Sequence, residues 1–177
     1  MKATSKTLIK FIVIYIFMNI AINSVAQKTV SIEKIDVLIN LSRFIDWYPD
    51  YNKPGSTKSI IILSDKNSSI NYEIQSKSNF KYKNWQIICS NKYDQINNGS
   101  IVFITNEQKS KVNDLVKISK VKSILTISDN IDNFCINGGM INVKKDGGRY
   151  HFEINYKEIQ SQNIEISSKL LALAKIL

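Results

Sequence analysis

Histidine and cysteine are scarce in this 177-residue chain, and their scarcity excludes a zinc site built from these residues. The chain has one histidine, His151, and two cysteines, Cys89 and Cys135. Protein zinc sites need three or four ligands, and histidine and cysteine predominate among them. The sequence therefore predicts no bound metal.

The chain also lacks the glycine-rich motifs that bind nucleotides and cofactors. It contains neither a G-x-G-x-x-G segment nor a Walker loop, and Gly138-Gly139 precedes a predicted strand, which indicates a bend. Its candidate catalytic acids are scattered: Asp65, Asp129, Asp132, Glu153 and Glu165. We therefore expect a protein that is not an enzyme and binds no cofactor. Two carboxylates brought together by folding, which would form an acid–base pair, are the alternative.

Basic residues outnumber acidic ones, but they form no dense cluster. The chain has 24 Lys and Arg against 15 Asp and Glu, a formal net charge of +9. The lysines of the middle of the chain stand singly: Lys58, Lys66, Lys77, Lys81, Lys83, Lys92, Lys109 and Lys111. Nucleic-acid-binding proteins concentrate such residues in a patch or stripe. The pattern indicates a solvated lysine-rich surface and no nucleic-acid partner.

Residues 1–26 have the composition of a secretory signal peptide. Three lysines precede an apolar run from Phe11 to Ala21, and Ser24-Val25-Ala26 places small residues where a signal peptidase cleaves. A spanning helix needs about 20 apolar residues, so a retained membrane anchor is the less favoured alternative. The sequence has no cysteine near the cleavage point, so we do not expect a lipid anchor. We expect an exported mature domain of residues 27–177, with a formal net charge of about +6.

The two cysteines lie far apart in this mature chain. In an oxidising compartment, Cys89 and Cys135 have the opportunity to form one disulfide. The alternative is a pair of buried free thiols. The sequence does not decide between them, because pairing needs the two Cα atoms to lie within about 7 Å.

Strands and helices alternate through the middle of the mature chain. Short continuous apolar runs predict buried strands at Ser59–Leu63, Trp85–Cys89, Ile101–Ile104 and Ser123–Ile127. A helix is predicted at Ser68–Ser76, and Thr105 with Gln108 predicts a capping box that opens another helix. This alternation predicts a single α/β domain with a mostly parallel central sheet and crossover helices.

The two ends of the mature chain are predicted to be helical. Residues Ser31–Tyr48 have apolar residues on most faces and a narrow polar stripe that Trp47 continues, and Pro49 ends the helix. Near the other end, Asp146-Gly147 between two alternating runs predicts an antiparallel hairpin. Asn155 is predicted to cap a short helix after the hairpin, and a C-terminal helix is predicted from Ser167.

Several segments in a fixed order resemble one known family. Ser42–Trp47 is similar to the family segment K-F-V-E-W-P, and Ile124–Asp129 is similar to V-L-T-V-S-D. Asn133-Phe134 with Gly138–Ile141 is similar to G-F followed by G-G-M-I. Phe152–Asn155 is similar to F-E-I-N, and Ile166–Ala174 is similar to I-S-S-K-L-L-x-L-A. Tyr48 separates Trp47 from Pro49, a small departure, and residues 50–98 match poorly. Together the segments resemble the YfiR-like family.

The resemblance implies a periplasmic regulatory protein that is able to dimerise. Family members with a known role repress a membrane-bound diguanylate cyclase by binding its periplasmic part, and release raises cyclic-di-GMP and favours biofilm formation. We therefore expect an inhibitor of a membrane signalling protein. A structural or outer-membrane accessory role is a weaker alternative.

A small-molecule-binding module is the second interpretation. Parallel sheets bind ligands in a crevice beyond the carboxyl ends of their strands. Polar residues follow the predicted strands there: Ser64, Asp65, Ser90, Thr105, Asn106, Ser128 and Asp129. They suit a nucleotide or a cell-wall fragment, although loop residues at strand ends are also polar because they meet water.

The residues expected to bind a partner lie in and after the hairpin. Ile141, Glu153 and Ile159 are the first candidates, and Arg43 with Trp47 forms a second patch or dimer face. The alternative makes both isoleucines core residues and Glu153 a solvated charge. Cys135 falls where the family can carry a redox-active cysteine, but Asn142 stands where its partner would be expected. The resemblance therefore does not extend to a local redox switch.

Overall fold

The computed structural model describes residues 33–47, 58–76, 81–82 and 85–177. The predicted signal peptide (residues 1–26) lies outside the described residues. None of the helices in these ranges is long and apolar enough to cross a membrane.

The described chain alternates between short helices and strands. The strands are β1 (Ile45–Trp47), β2 (Lys58–Leu63), β3 (Lys81–Tyr82), β4 (Trp85–Ser90), β5 (Ile101–Ile104), β6 (Leu125–Asp129), β7 (Ile141–Asp146), β8 (Arg149–Ile154), β9 (Ile164–Ile166) and β10 (Ala174–Ile176). The helices are α1 (33–42), α2 (Ser69–Ser76), a 3-10 turn (Asn106–Lys111), α3 (Val112–Val121), α4 (Tyr156–Ser161) and α5 (Ser168–Leu171).

Eight strands form one mixed sheet in the order β10-β8-β7-β6-β5-β2-β4-β3. Five neighbouring strands of this sheet, in the order β4, β2, β5, β6 and β7, run parallel. At the two sides, β8 pairs antiparallel to β7 and β3 pairs antiparallel to β4. The sheet confirms the predicted α/β class and its mostly parallel centre. It also confirms the hairpin, whose turn residues Gly147 and Gly148 have φ angles of 53° and 79°.

The sheet separates two hydrophobic cores. Alternating side chains of β2, such as Ile60 and Ile62, pack with α1, α2, α4 and α5, and this side is the larger core. The other side chains of β2, such as Ile61 and Leu63, pack with α3 and with residues Ile131–Cys135. Strands covered on both faces read as continuous apolar runs, which is why β2 and β5 were predictable from sequence.

The predicted helix over Ser31–Tyr48 is too long. Helix α1 ends at residue 42, and Ile45–Trp47 forms strand β1, which pairs antiparallel with β9. Ile45 and Trp47 are buried and Asp46 is exposed, the alternation of a half-buried strand. Pro49 disfavours helix at the residue before it, and the chain leaves the helix several residues earlier.

The predicted C-terminal helix is also wrong in extent. Helix α5 covers only Ser168–Leu171, and the chain then forms β10, which pairs parallel with β8 at the edge of the sheet. The hydroxyl of Ser167 accepts a hydrogen bond from the amide of Lys169 and caps this single turn.

The capping box predicted at Thr105 is absent. The Thr105 hydroxyl instead donates to the carbonyl of Leu63, and the side chain of Gln108 donates to Asp65. The segment after Thr105 starts as a 3-10 turn and becomes α-helical at Val112. Asn155, by contrast, caps α4 as predicted, since its side-chain oxygen accepts from the amide of Glu158 at 3.2 Å.

Candidate functional site

A row of polar residues crosses four neighbouring strands on one face of the sheet. Ser128 of β6 is registered with Asn142 of β7, Asn142 with Glu153 of β8, and Glu153 with Lys175 of β10. Exposure increases along this polar row: Ser128 and Asn142 are fully buried, Glu153 is half-buried and Lys175 is exposed. The polar row therefore leads from the core to the surface.

Hydrogen bonds link the buried members of the polar row. The Ser128 hydroxyl donates to Asn142 Oδ1 at 2.7 Å, and Asn142 Nδ2 donates to Glu153 Oε2 at 3.2 Å. Lys144 Nζ forms a 3.0 Å ion pair with the other carboxylate oxygen, Glu153 Oε1. Both oxygens of Glu153 therefore have a donor.

These donors lower the pKa of Glu153 despite its partial burial. Burial raises the pKa of Glu153, but hydrogen bonds from Lys144 and Asn142 and the charges of Lys144 and Lys175 outweigh it. The resulting pKa of Glu153 lies below its ordinary value. The site therefore presents a fixed negative charge between two lysines.

The segment 130–139 packs beside Glu153 and exposes one large apolar side chain. Phe134 and Cys135 are buried, and the Cys135 thiol donates to the backbone carbonyl of Glu153 at 3.3 Å. Asn155 Nδ2 donates to the carbonyl of Cys135 at 2.9 Å. Ile136, the next residue, is 73% exposed, as is Leu173 just before β10. One exposed apolar residue therefore follows Cys135, which contacts Glu153, and the other lies two residues before Lys175, which is registered with Glu153.

The structure places Ile141 and Ile159 in the larger core. Both side chains are 0% exposed, because β7 lies inside the sheet and α4 packs over it. Neither reaches the surface, so the expectation that they contact a partner directly is corrected. Of the three candidates in this part of the chain, only Glu153 is accessible.

The disulfide between Cys89 and Cys135 is not formed. Both cysteines are free; Cys89 packs against the larger core and Cys135 belongs to the smaller one. The sheet lies between the two cores and therefore separates the two thiols. Burial raises the pKa of both thiols to about 11, which makes them unreactive at neutral pH.

The second predicted patch divides into an exposed and a buried residue. Arg43 is exposed in the turn after α1, whereas Trp47 is only 4% exposed. The Trp47 ring lies 5.7 Å from the ring of Trp85, and Lys58 Nζ lies 5.3 Å from the centre of the Trp47 ring. Trp47 is therefore an interior residue rather than part of a flat dimer face.

Trp47 lines a cavity of about 660 Å³ between β1, α4 and β9. The other lining residues are Tyr156, Gln160, Asn163, Ile164, Glu165 and Ile166. The indole Nε1 of Trp47 is buried and has no hydrogen-bond partner among the described residues. A buried donor without a partner carries a free-energy cost, so the Trp47 N–H is an unsatisfied polar group of the interior.

The polar rim at the carboxyl ends of the strands is largely occupied by its own hydrogen bonds. The strand ends do lie side by side, in the order β4, β2, β5, β6. Asp65 accepts from Gln108, Asn106 donates to the carbonyl of Asn130, and Asp129 forms a 2.7 Å ion pair with Lys34 of α1. These bonds connect loops to one another, so this rim is the weaker candidate for a ligand site.

The sequence model of the YfiR/HmsC-like family matches residues 33–175 of the 177. The chain belongs to the YfiR/HmsC-like family. This membership confirms the resemblance read from the sequence, and YfiR/HmsC-like proteins are periplasmic regulators rather than catalysts. A search of curated proteins gives no match. In the described part of this YfiR/HmsC-like chain, no three His, Cys, Asp or Glu side chains come together as metal ligands.

Asn142 and Ile136 are among the residues of this site that the sequence reasoning missed. Asn142 interrupts the apolar sequence Met140-Ile141-Asn142-Val143, and a polar residue within a buried strand was an available signal. Ile136 had no such signal, because its neighbours Phe134 and Cys135 are equally apolar and are buried.

Proposed function

We propose that this protein is a periplasmic regulator that inhibits a membrane-bound signalling protein, such as a diguanylate cyclase, by binding its periplasmic part. Family membership supports the regulatory role. The observation that carries the binding role is the surface at the end of the polar row. We define the partner surface as Ile136, Glu153, Leu173 and Lys175.

The composition of the partner surface suits a protein partner. Two exposed apolar side chains supply contact area. An ionised carboxylate between lysines favours one orientation of the partner. Protein interfaces combine apolar anchors with a polar rim in this way. The hydrogen bonds of Cys135 and Asn155 fix the segment that carries Ile136, so little ordering is needed on binding.

Inhibition then follows from a difference in affinity. A regulator that binds the inactive form of its partner better than the active form shifts the partner toward inactivity. Coupling energies of about 1–3 kcal/mol, or roughly 5- to 150-fold, are typical of such effects. No bond needs to be made or broken by the regulator.

Site-specific photo-crosslinking in the source organism tests this proposal. A benzophenone amino acid replaces Ile136 in one strain and Val121, an 86% exposed residue of α3, in a control strain. We expect the probe at 136 to crosslink to a membrane protein that has a periplasmic region and a cytoplasmic signalling domain, and the probe at 121 not to do so. Equal crosslinking from both positions, or no membrane protein from either, would contradict the proposal.

The cavity beside Trp47 favours a second candidate function, the binding of a small ligand. Its volume of about 660 Å³ is in the range of small-molecule sites. Trp47 and Tyr156 offer aromatic faces, and Glu165 offers an acceptor. This combination suits a planar, polar ligand such as a nucleotide, or a small cell-wall fragment.

A thermal-shift screen with nucleoside monophosphates and muropeptides tests the ligand hypothesis. We expect one class of probe to raise the melting temperature of the native protein. Replacement Glu165→Gln removes the charged acceptor of the lining, so the rise should be lost, whereas it should persist in the control Asp114→Asn, an exposed residue of α3 outside the lining. The absence of a rise with any probe would reject this second function.

A further inference from the structure

Asn142 stands out because its buried amide uses its full hydrogen-bonding capacity. Its Oδ1 accepts from the Ser128 hydroxyl at 2.7 Å and from the Ile131 amide at 3.1 Å. Its Nδ2 donates to the Ile131 carbonyl at 2.9 Å and to Glu153 Oε2 at 3.2 Å. A side-chain amide has two donors and two acceptor positions, so none is left unused.

The pairing with Ile131 fixes the orientation of this amide. A backbone N–H only donates and a backbone carbonyl only accepts, so Asn142 Oδ1 must face the Ile131 amide and Nδ2 its carbonyl. The remaining proton of Nδ2 then points at Glu153. One buried side chain thus connects the start of the 130–139 segment, which carries Ile136, to the carboxylate of Glu153.

We propose that Asn142 is the positioning residue of the partner surface, holding the segment of Ile136 and the carboxylate of Glu153 in one fixed arrangement. This proposal rests on the proposed function, because it assigns Asn142 a role in presenting the surface defined there. Asn142 is 0% exposed and cannot touch a partner itself. It acts only through Ile131 and Glu153.

A positioning role differs in its consequences from a purely structural one. Removal of the Nδ2 donor takes away one of the two hydrogen bonds that lower the pKa of Glu153. The titration of Glu153 should therefore change together with the partner surface. Loss of an unrelated buried hydrogen bond would lower stability without changing Glu153.

The experiment uses Asn142→Asp, which has nearly the same shape but lacks the amide donor, and Asn142→Ala. The control is Thr126→Val, because Thr126 is also 0% exposed and its hydroxyl accepts only from the Met140 amide at 3.1 Å. NMR follows the side-chain carboxyl carbon of Glu153 against pH. We expect Glu153 to titrate at higher pH in both Asn142 variants and unchanged in the control.

The crosslinking probe at position 136 supplies the second readout. We expect the yield of the crosslink to fall about tenfold in the Asn142 variants, the effect of a 1.4 kcal/mol loss in binding, and to persist in Thr126→Val. An unchanged Glu153 titration in folded Asn142 variants would overturn the proposal. A shifted titration with an undiminished crosslink would also overturn it, since the surface would then not depend on Asn142.

The unmodified protein provides a further test in case the variants do not fold. The Ile131 amide lies outside regular secondary structure, yet its hydrogen bond to Asn142 predicts slow hydrogen exchange. Rapid exchange at Ile131 would contradict the arrangement. Failure of the crosslink to find a membrane partner in the native chain, with Ile131 protected and the Glu153 titration shifted in the variants, would reject the proposed function but leave the link from Asn142 to Glu153 intact.

Discussion

Single residues at the end of the polar row decide the electrostatics of the partner surface. Glu153 is half-buried, and burial alone would raise the pKa of its carboxyl group. Lys144 and Asn142 donate hydrogen bonds to it, so the pKa of Glu153 falls below its ordinary value instead of rising above it. The negative charge of Glu153 is thus stabilised by neighbouring side chains and not only by water.

This lowered pKa predicts how stability depends on pH. A carboxyl group whose pKa is lower in the folded state stabilises the fold above its unfolded pKa, and that contribution is lost as the pH falls toward the folded pKa. We expect the free energy of unfolding to decrease below the ordinary pKa of 4.5. In Glu153→Gln this part of the decrease should be absent.

Urea denaturation between pH 3 and pH 7 measures the effect, with Asp114→Asn as the control. Asp114 has an exposed ion pair with Lys117, and such pairs contribute little to stability. The control should therefore follow the native profile. Identical profiles for native protein and Glu153→Gln would contradict the described environment of Glu153.

The sequence supported some of these single-residue assignments and not others. Alternation along β8 correctly put Glu153 on the face opposite to Phe152 and Ile154. Ile141 and Ile159 were misplaced because the periodicity of one strand or helix does not show which neighbours cover it. Asn142 was missed as a site residue because its role depends on Ile131 and Glu153, which the fold brings to it.

At the level of elements, the 130–139 segment combines several unusual backbone positions with one close packing contact. Asn130 and Asn133 have φ angles of 51° and 57°, and Gly138 has a φ of 95°. A Cβ atom added at Gly139 would lie 2.3 Å from a ring carbon of the buried Phe134. Gly139 is therefore required by packing.

This contact predicts a destabilising effect of Gly139→Ala. The buried Phe134 ring has no space to move, and overpacked core positions cost about 1–3 kcal/mol. Gly147→Asn is the control, because Gly147 has a φ of 53°, nothing lies near its added Cβ, and asparagine tolerates this conformation. Chemical denaturation should show a loss only for Gly139→Ala, and equal stability of the two variants would contradict the packing.

The predictability of elements followed their length and their burial. The interior strands β2, β4 and β5 were predicted within one residue at each end, because each contains an uninterrupted run of three or four apolar residues. Strands β1, β9 and β10 have three residues each, too few to show a period of two. Their pairing partners are also distant in sequence. The pattern of apolar residues therefore predicted helix for the segments that contain β1 and β10.

On the scale of the whole molecule, the two candidate sites lie on opposite sides of the sheet. The larger core holds α1, α4 and the cavity beside Trp47, while the polar row and the segment with Ile136 lie on the other side. The parallel strands occur in the order β4-β2-β5-β6-β7, a doubly wound arrangement. Sequence alternation predicted this class but not the strand order, which depends on contacts between distant segments.

The central claim is that the protein regulates by contact through the partner surface, and cyclic-di-GMP levels in the source organism test it most directly. A deletion strain is complemented with native protein, with Ile136→Asp, or with the control Val121→Asp, and periplasmic protein amounts are matched. Both replaced residues are exposed, so both variants should fold. We predict that deletion raises cyclic-di-GMP, that native protein and Val121→Asp restore it, and that Ile136→Asp does not. Full restoration by Ile136→Asp, or a deletion that leaves cyclic-di-GMP unchanged, would contradict the account.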